Sequence, residues 1–439
     1  MASIVSKFGG SSVATGAQIR KVAAILAADP RRRYLVTSAP GKRDGDDIKV
    51  TDLLYRLWEH RDQDYTDTLS QIKQRFIDIA EELDVPTSQV DFDAEIAAIE
   101  EQLVSGTTKA YIASRGEYLH CRLIAAHLGW AFIDAAEVVR FSRTGELLAA
   151  KTDELIARAL QGVERAVIPG FYGATSTQEV RTFSRGGSDV TGALIARVVG
   201  ADVYENWTDV SGILMADPRI VDSPRTIERL SYTALRELTY LGASVLHEDA
   251  VNPVRERGIP INIRNTNRPD DSGTWVQQDM PAVSPDDPGI IGLAGKQGYT
   301  TITLRKPQWS GFHGVSGTLF NILGDANLVL DLALTSIDGW TVAVSTAAFA
   351  PVRHIVMGQI KAALEPATIE IENGLSLLGV VSSGSMPETV LTGRVATSLC
   401  DADIEILTIF RWGDLHLLAV NTSQYDDAVK AIYRALVRE

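Results

Sequence analysis

The stretch "SIVSKFGGSSVATG", Ser3 to Gly16, decides how the fold is read. Ile4 to Phe8 is a short, largely apolar run that reads as a strand, with Lys7 as its one charge. Gly9 and Gly10 end the run, Ser11 and Ser12 follow, and Ile19, Val22, Ala23 and Leu26 then recur at helical spacing. A strand that turns through glycines into a helix offers backbone N–H groups to an anion, since no Cβ keeps the ligand away and the helix N-terminus favours negative charge. Lys7 adds a point charge suited to phosphate. The spacing GxxxxGK[ST] is missing, so taken alone the turn also reads as a structural corner.

Outward from this point the alternation continues. Tyr34 to Ser38 is a second strand, Leu69, Ile72, Phe76, Ala80 and Leu83 mark a helix face, and "DAEIAAIEEQLVSG" is a helix with a glycine at its C-terminal end. Further strands are expected at Ala131 to Ile133, Ala166 to Ile168, Asp202 to Glu205 and Pro260 to Ile263. The pattern predicts an α/β fold with a mostly parallel sheet covered by helices on both faces. From Thr266 to Pro288 it gives way to "TNRPDDSGTWVQQDMPAVSPDDPG", which reads as a domain boundary. Beyond that boundary, "GTLFNILGDANLVLDL" from Gly317 resembles "GRVATSLCDADIEIL" from Gly393, 76 residues on, with Asp325-Ala326 falling on Asp401-Ala402. Each copy reads as a helix entering a strand through a tight turn, which predicts two small α+β units.

Composition limits the function. The chain has 439 residues, 45% hydrophobic and 22% charged, which predicts two or more domains around a sizeable core. A net charge of −14 argues against a nucleic-acid surface, because duplex binding is driven by lysines and arginines displacing counterions. Cys121 and Cys400 stand far apart and suggest neither a disulfide framework nor a zinc site, as a cytoplasmic protein would show. No basic segment leads into an apolar run at the N-terminus and no stretch of about 18 apolar residues occurs, so no membrane role is expected. The seven histidines form no metal-ligand pattern, and no residue is assigned as a metal ligand.

Four further stretches carry candidate chemistry. "TFSRGGSDVTGALIA" sets Arg185, Gly186, Gly187, Ser188 and Asp189 before a helix. Arg185 offers a fork for a carboxylate and Asp189 an acceptor for an ammonium group, a pair that matches an amino-acid zwitterion; the plainer reading is a solvated arginine and a helix-start acid. "ASRGEYLHCRL" places Glu117 after Arg115 and Gly116, read as the head of a helix, where an acid is common. Ser38 ends a strand and Thr51 starts a helix after a polar loop; their hydroxyls suit a carboxylate or phosphate, or act only as caps. "ENWTDVSGILMADPRIV" gives Thr208, Asp209, Asp217 and Arg219 in a loop, where an Asp could hold Mg²⁺ and Arg219 could meet phosphate.

Taken in order, KFGGSS (Lys7–Ser12), SRGEYL (Ser114–Leu119), FSRGGSDVTGALIA (Phe183–Ala196), WTDVSGILMADPRIV (Trp207–Val221) and LGASVLHEDAVNPV (Leu241–Val254) resemble the aspartate kinases across nearly the whole chain. The resemblance implies a three-layer αβα sandwich of the amino-acid kinase type over residues 1–285, followed by ACT units at 290–372 and 373–439. It places the leading strand of the second unit early, near 290–296, so that one unit is inserted in the other. It implies transfer of the ATP γ-phosphate to the side-chain carboxylate of L-aspartate, with Mg²⁺, as the first step toward lysine, threonine and methionine. By the same resemblance Lys7 and Asp189 are catalytic, and Lys7, Gly9, Gly10, Ser11, Gly186, Gly187, Thr208, Asp209 and Arg219 meet the nucleotide. Arg185 would hold the α-carboxylate of aspartate, Glu117 and Asp189 its ammonium, and Ser38, Thr51 and Ser188 would lie beside it. Ser244 and Leu214 stand where some members carry lysine and tyrosine.

In the regulatory half the resemblance gives an effector, lysine or threonine, to Gly314, Val315, Ser316, Asp331, Thr335 and Ser336, at the interface of a homodimer or higher oligomer. Ile337 replaces an acid found in some lysine-sensitive members. Two alternatives stay open at this point: an amino-acid kinase acting on a glutamate-type substrate, and an inactive ACT amino-acid sensor.

Overall fold

The structure, a computed structural model, describes residues 2–86, 88–184, 186–243, 246, 248–278, 288–307, 309 and 314–437. The chain divides into two units: Met1–Ile213 with Thr226–Thr239 and Ser244–Pro281, and Leu214–Arg225 with Tyr240–Ala243 and Ala282–Glu439.

The first unit alternates strands and helices from its start: β1 (Ile4–Phe8), α1 (Gly16–Ala28), β2 (Arg32–Thr37), α2 (Val50–Glu59), α3 (Thr66–Glu82), α4 (Phe92–Val104), α5 (Lys109–Leu128), β3 (Ala131–Phe132), α6 (Ala135–Val138), α7 (Ala149–Ala159) and β4 (Ala166–Pro169). It continues with the hairpin β5 (Tyr172–Ala174) and β6 (Val180–Thr182), then α8 (Gly187–Val199), β7 (Val203–Thr208), β8 (Arg229–Ser231), α9 (Tyr232–Tyr240), α10 (Glu248–Arg255), β9 (Ile261–Asn265) and β10 (Thr274–Gln277). Eight strands form one sheet in the order β3-β4-β2-β1-β7-β9-β10-β8, parallel except where β9 meets β10. Strands β1 and β4 are buried along their whole length, as expected of parallel strands covered on both faces.

Side chains alternate across this sheet, and the alternation assigns the faces. Ser6, Phe8, Glu205 and Trp207 point one way, where the Phe8 and Trp207 rings stack at 5.5 Å over a core built from α1 to α5. Lys7 and Asn206, paired across β1 and β7, point the other way toward α8. The boundary expected from Thr266 onward begins too early: Thr274–Gln277 is a ladder strand, held there because the fully buried Thr274 hydroxyl donates to the Ile227 carbonyl and accepts from the Ile213 N–H.

The second unit holds β11 (Ile290–Arg305), α11 (Val315–Asp325), β12 (Leu332–Ser336), β13 (Gly339–Ser345), α12 (Thr346–Leu364), β14 (Thr368–Ser382), α13 (Glu388–Asp401), β15 (Thr408–Trp412), β16 (Leu415–Asn421) and α14 (Tyr425–Val437). Its six strands form one antiparallel sheet, β12-β13-β11-β14-β16-β15. The repeat is visible residue by residue: β12 and β15, and β13 and β16, sit at the 76-residue offset, and Asn327 and Asp403 occupy the same turn position with φ 55° each. Both long strands serve both repeats. Ile290–Lys296 pairs with Leu377–Ser382, and Thr300–Arg305 pairs with Thr368–Asn373.

The α3–α4 packing rests on Phe76, fully buried and stacked on Phe92 at 6.0 Å. Phe76→Ala is expected to cost about 3–5 kcal/mol through lost burial and the cavity left behind; urea unfolding of the two proteins with equal slopes checks the figure, and a loss below about 1 kcal/mol refutes it.

Candidate active site

The C-terminal end of β1 is where the sequence motifs meet. Lys7 lies on the α8 face of the sheet, and its ammonium forms a buried ion pair with Asp189 at 2.5 Å. Asp189 belongs to the first turn of α8 and also accepts from the Asn206 side-chain amide at 2.9 Å. The two glycine turns, distant in sequence, are joined by this pair. Ser38, one residue past β2, extends the junction by donating from its hydroxyl to that of Ser188 at 3.0 Å. Gly186 caps α8 in the left-handed region (φ 56°), which brings the N–H groups of the first turn to bear on the same place. Arg185 and Ser244 lie outside the described residues.

Around Gly9 and Gly10 the local structure differs from the expectation. The helix does not follow the glycines directly: Gly10–Val13 forms a 3-10 turn, and α1 starts at Gly16 with Thr15 as its cap, accepting from the Gln18 N–H at 3.2 Å. The N–H of Gly9 donates to the Trp207 carbonyl at 3.0 Å, so Gly9 contributes an absent side chain rather than a donor. Ser11 is exposed at the tip of this turn.

Glu117 is also placed differently. It lies not at a helix start but in the middle of α5, which begins at Lys109 under the cap of Thr108. The helix runs through Gly116 because that residue sits under Ala39, where a Cβ would come within 2.9 Å of the Ala39 methyl. Arg115 faces elsewhere, its guanidinium lying over the rings of Tyr111, Tyr118 and Tyr172. Glu117 is buried and its Oε2 finds no hydrogen-bond partner among the described residues. Burial pushes its carboxyl up to about 8. On the same helix the buried His120 donates from Nδ1 to the Ser38 carbonyl at 2.9 Å, and burial pushes its pKa down to about 4, so it serves as a neutral strut for Ser38. Thr51 is the second residue of α2 and half-buried; the helix starts one residue earlier, with no side-chain cap from Lys49.

Thr208 ends β7, and its hydroxyl donates to Asp209 at 3.2 Å. Asp217, Arg219 and Leu214 belong to the second unit, where Arg219 is largely exposed and pairs with Asp217 at 2.6 Å. Among the described residues no cluster of three or more His, Cys, Asp or Glu could hold a metal ion. Asn206, His120 and Gly41 were not singled out by their motifs. Asn206 had a signal, since it stands in register with Lys7 on the neighbouring strand.

On the opposite face a cleft of about 600 Å³ is lined by Lys21, Arg32, Trp207 and Arg264 among others. Two of its cations share one acid: Arg32 and Arg264 both pair with the buried Glu205, at 2.8 and 3.6 Å, which also accepts from Ser6 and Trp207. The Lys7–Asp189 pair lies on the α8 face, and Glu117 comes from α5 on the other face, beside the loop that follows β2.

Residues 2–265 match the amino acid kinase family, and the chain belongs to it. Among curated relatives, aspartokinase 3 of Bacillus subtilis is 30% identical over 98% of both chains. The solved aspartate kinase of Clostridium acetobutylicum superposes with a TM-score of 0.89 at 38% identity, covering 99% of this chain and 100% of that one. Escherichia coli aspartokinase III with aspartate and ADP shares the fold, with a TM-score of 0.78 at 24% identity and 99% coverage of each chain. Within the family the chain is thus an aspartate kinase, an ATP-dependent phosphotransferase whose regulatory half is of ACT type.

The lone Glu117 leaves a signature in stability. The folded state keeps its proton up to about pH 8 while the unfolded chain loses it near the ordinary glutamate value of 4.5. The advantage of the folded state is therefore full below about 4.5 and is lost as pH rises toward 8. Glu117→Gln has no such proton, so its stability relative to wild type is expected to rise between pH 5 and pH 8, by up to a few kcal/mol. Urea unfolding at pH 5, 6.5 and 8 reads this, and a pH-independent difference contradicts it.

Proposed function

We propose that the junction of the two glycine turns is the site at which ATP and L-aspartate meet. The Lys7–Asp189 pair carries this reading, because it ties the end of β1 to the first turn of α8 while Glu117 and Ser38 stand close in the fold. Gly9, Gly10 and Ser11 with Lys7 receive the nucleotide phosphates, and Gly186, Gly187, Thr208 and Asp209 complete the nucleotide side. Arg185 holds the α-carboxylate of aspartate, Glu117 and Asp189 its ammonium, and Ser38, Thr51 and Ser188 the remaining polar groups. An ammonium beside Glu117 favours the carboxylate over the acid, so aspartate binding releases a proton below about pH 8.

The chemistry needs no general base. The side-chain carboxylate of aspartate has an ordinary pKa of about 4 and is ionised at neutral pH, ready to attack the γ-phosphorus. As the bond to ADP breaks and the new P–O bond forms, the product is 4-phospho-L-aspartate. Catalysis then consists of in-line positioning and neutralisation of the charge on the transferring phosphoryl group. Mg²⁺ enters as part of the nucleotide substrate, held by phosphates and at most one or two carboxylates such as Asp209, which is how this ion is commonly bound. Lys7 is freed from Asp189 as the phosphates take its charge, and Asp189 is freed for the substrate ammonium.

The same reading covers regulation and context. The catalytic domain spans 1–285 and the ACT units 290–372 and 373–439, with the strand at 290–296 contributed to the second. An end-product amino acid, lysine or threonine, binds at Gly314, Val315, Ser316, Asp331, Thr335 and Ser336. Asp331 is already engaged inside its own unit, accepting from the Tyr240 hydroxyl at 2.7 Å and lying 3.4 Å from the Lys296 ammonium, so an effector ammonium competes with Lys296 there. Aspartokinase III of E. coli has been captured with lysine and aspartate, and the C. acetobutylicum enzyme is described as allosteric; both support the reading. The enzyme works in the cytoplasm as a homodimer or higher oligomer and opens the route to lysine, threonine and methionine. No helix among the described residues is long and apolar enough to cross a membrane.

A coupled ADP-release assay is expected to show turnover with L-aspartate and none with L-glutamate. Lys7→Ala is expected to lower kcat by about 10²–10³ with little change in the KM for aspartate, since its charge matters most in the transition state. Arg185→Ala is expected to raise that KM at least tenfold; unchanged aspartate saturation overturns the substrate pose.

A further inference from the structure

Arg75 is a charged residue on the apolar stripe of α3, in step with Ile72, Phe76 and Ile79, and only 4% of it is exposed. Its guanidinium spans three backbone or side-chain acceptors from two different loops. Nη2 donates to the Gly41 carbonyl at 2.6 Å and to the Ala14 carbonyl at 3.4 Å, and Nη1 pairs with Asp47. Ala14 closes the 3-10 turn Gly10–Val13, while Gly41 lies in the loop after Ser38. The two loops are in direct backbone contact: the Gly41 N–H donates to the Gly10 carbonyl at 2.9 Å. A Cβ on Gly41 would come within 2.7 Å of the Gly10 carbonyl carbon and 2.8 Å of the Ser11 nitrogen, so the approach is possible only with glycine.

The far end of the strap is fixed as well. Burial alone would raise the Asp47 carboxyl, but hydrogen bonds from Arg43 and then Arg75 hold it well below the usual carboxylate range, so the anion is present at any working pH. One planar group with donors in a rigid fork thus clamps the turn and the loop against each other, which an ammonium on a flexible stem does less well.

We propose that Arg75 is a positioning residue for the nucleotide: through Gly41 and Ala14 it sets the place of Gly10 and Ser11, without touching the substrate itself. The inference rests on the reading above that this turn receives the phosphates. It separates the two substrates, because Ser38 on the aspartate side has anchors of its own. The Ser38 carbonyl is held by His120, and the Ser38 N–H by the Phe8 carbonyl at 3.2 Å. Loss of Arg75 therefore reaches the nucleotide first.

The test uses the full-length enzyme and steady-state kinetics with each substrate varied, for wild type, Arg75→Met, Arg75→Lys, Asp47→Asn and Lys7→Ala, with melting curves alongside. Arg75→Met is expected to raise the KM for MgATP at least tenfold and that for aspartate less than threefold, with Arg75→Lys between it and wild type. A purely structural role lowers the melting temperature and the active fraction but leaves both KM values in place, and that outcome overturns the proposal. Should Arg75→Met fail to fold, Asp47→Asn decides: a threefold or larger rise in the MgATP KM alone supports the clamp, and an unchanged value overturns it. The underlying site fails separately, if Lys7→Ala retains wild-type turnover.

Discussion

An ammonium and a carboxylate drawn largely out of water together tie the end of β1 to the start of α8. Lys7 and Asp189 lie far apart in the first unit's sequence, and removing either charge alone would strand the other in a buried setting, which costs far more than an exposed pair is worth. Asn206, fixed by its pairing with Lys7 across β1 and β7, shares Asp189 and gives the acid a second donor. The pair is strong enough to define the geometry of the junction.

Backbone contact does the remaining positioning. The turn after β1 has no side chains at Gly9 and Gly10, and the loop after β2 has none at Gly41, so main chain lies directly on main chain. Helix α5 supports the loop after β2 with a neutral His120 and with Glu117, one of whose carboxyl oxygens has no partner among the described residues. The other face of the sheet spends its charges on one another around Glu205, where two arginines stack on Trp207 at 5.3 and 4.6 Å.

Much of this was legible in the residues. The switch from β-branched runs to helical spacing located β1, β2, β4, β7 and β9, and the 76-residue repeat carried through to two turn residues with the same left-handed backbone. What the sequence hid was set by contacts distant in the chain. Gly116 looked like a break before Glu117, yet packing under Ala39 lets the helix run through it. The Asp- and Pro-rich stretch after Thr266 looked like linker, yet the buried Thr274 hydroxyl makes a strand of its end. Arg75 did leave a trace: an arginine in step with Ile72, Phe76 and Ile79 has to find acceptors inside.

The six-stranded sheet of the second unit has a weak line across it. Gly298 in β11 and Gly374 in β14 both take left-handed backbone (φ 83° and 92°), and the pairing of the two long strands slips its register between Lys296 and Thr300. On one side of this crease the strands belong to the first repeat and on the other to the second, with no chain break between them. The two repeats are thus threaded on the same pair of strands, and the ladder between those strands changes step where one repeat hands over to the other.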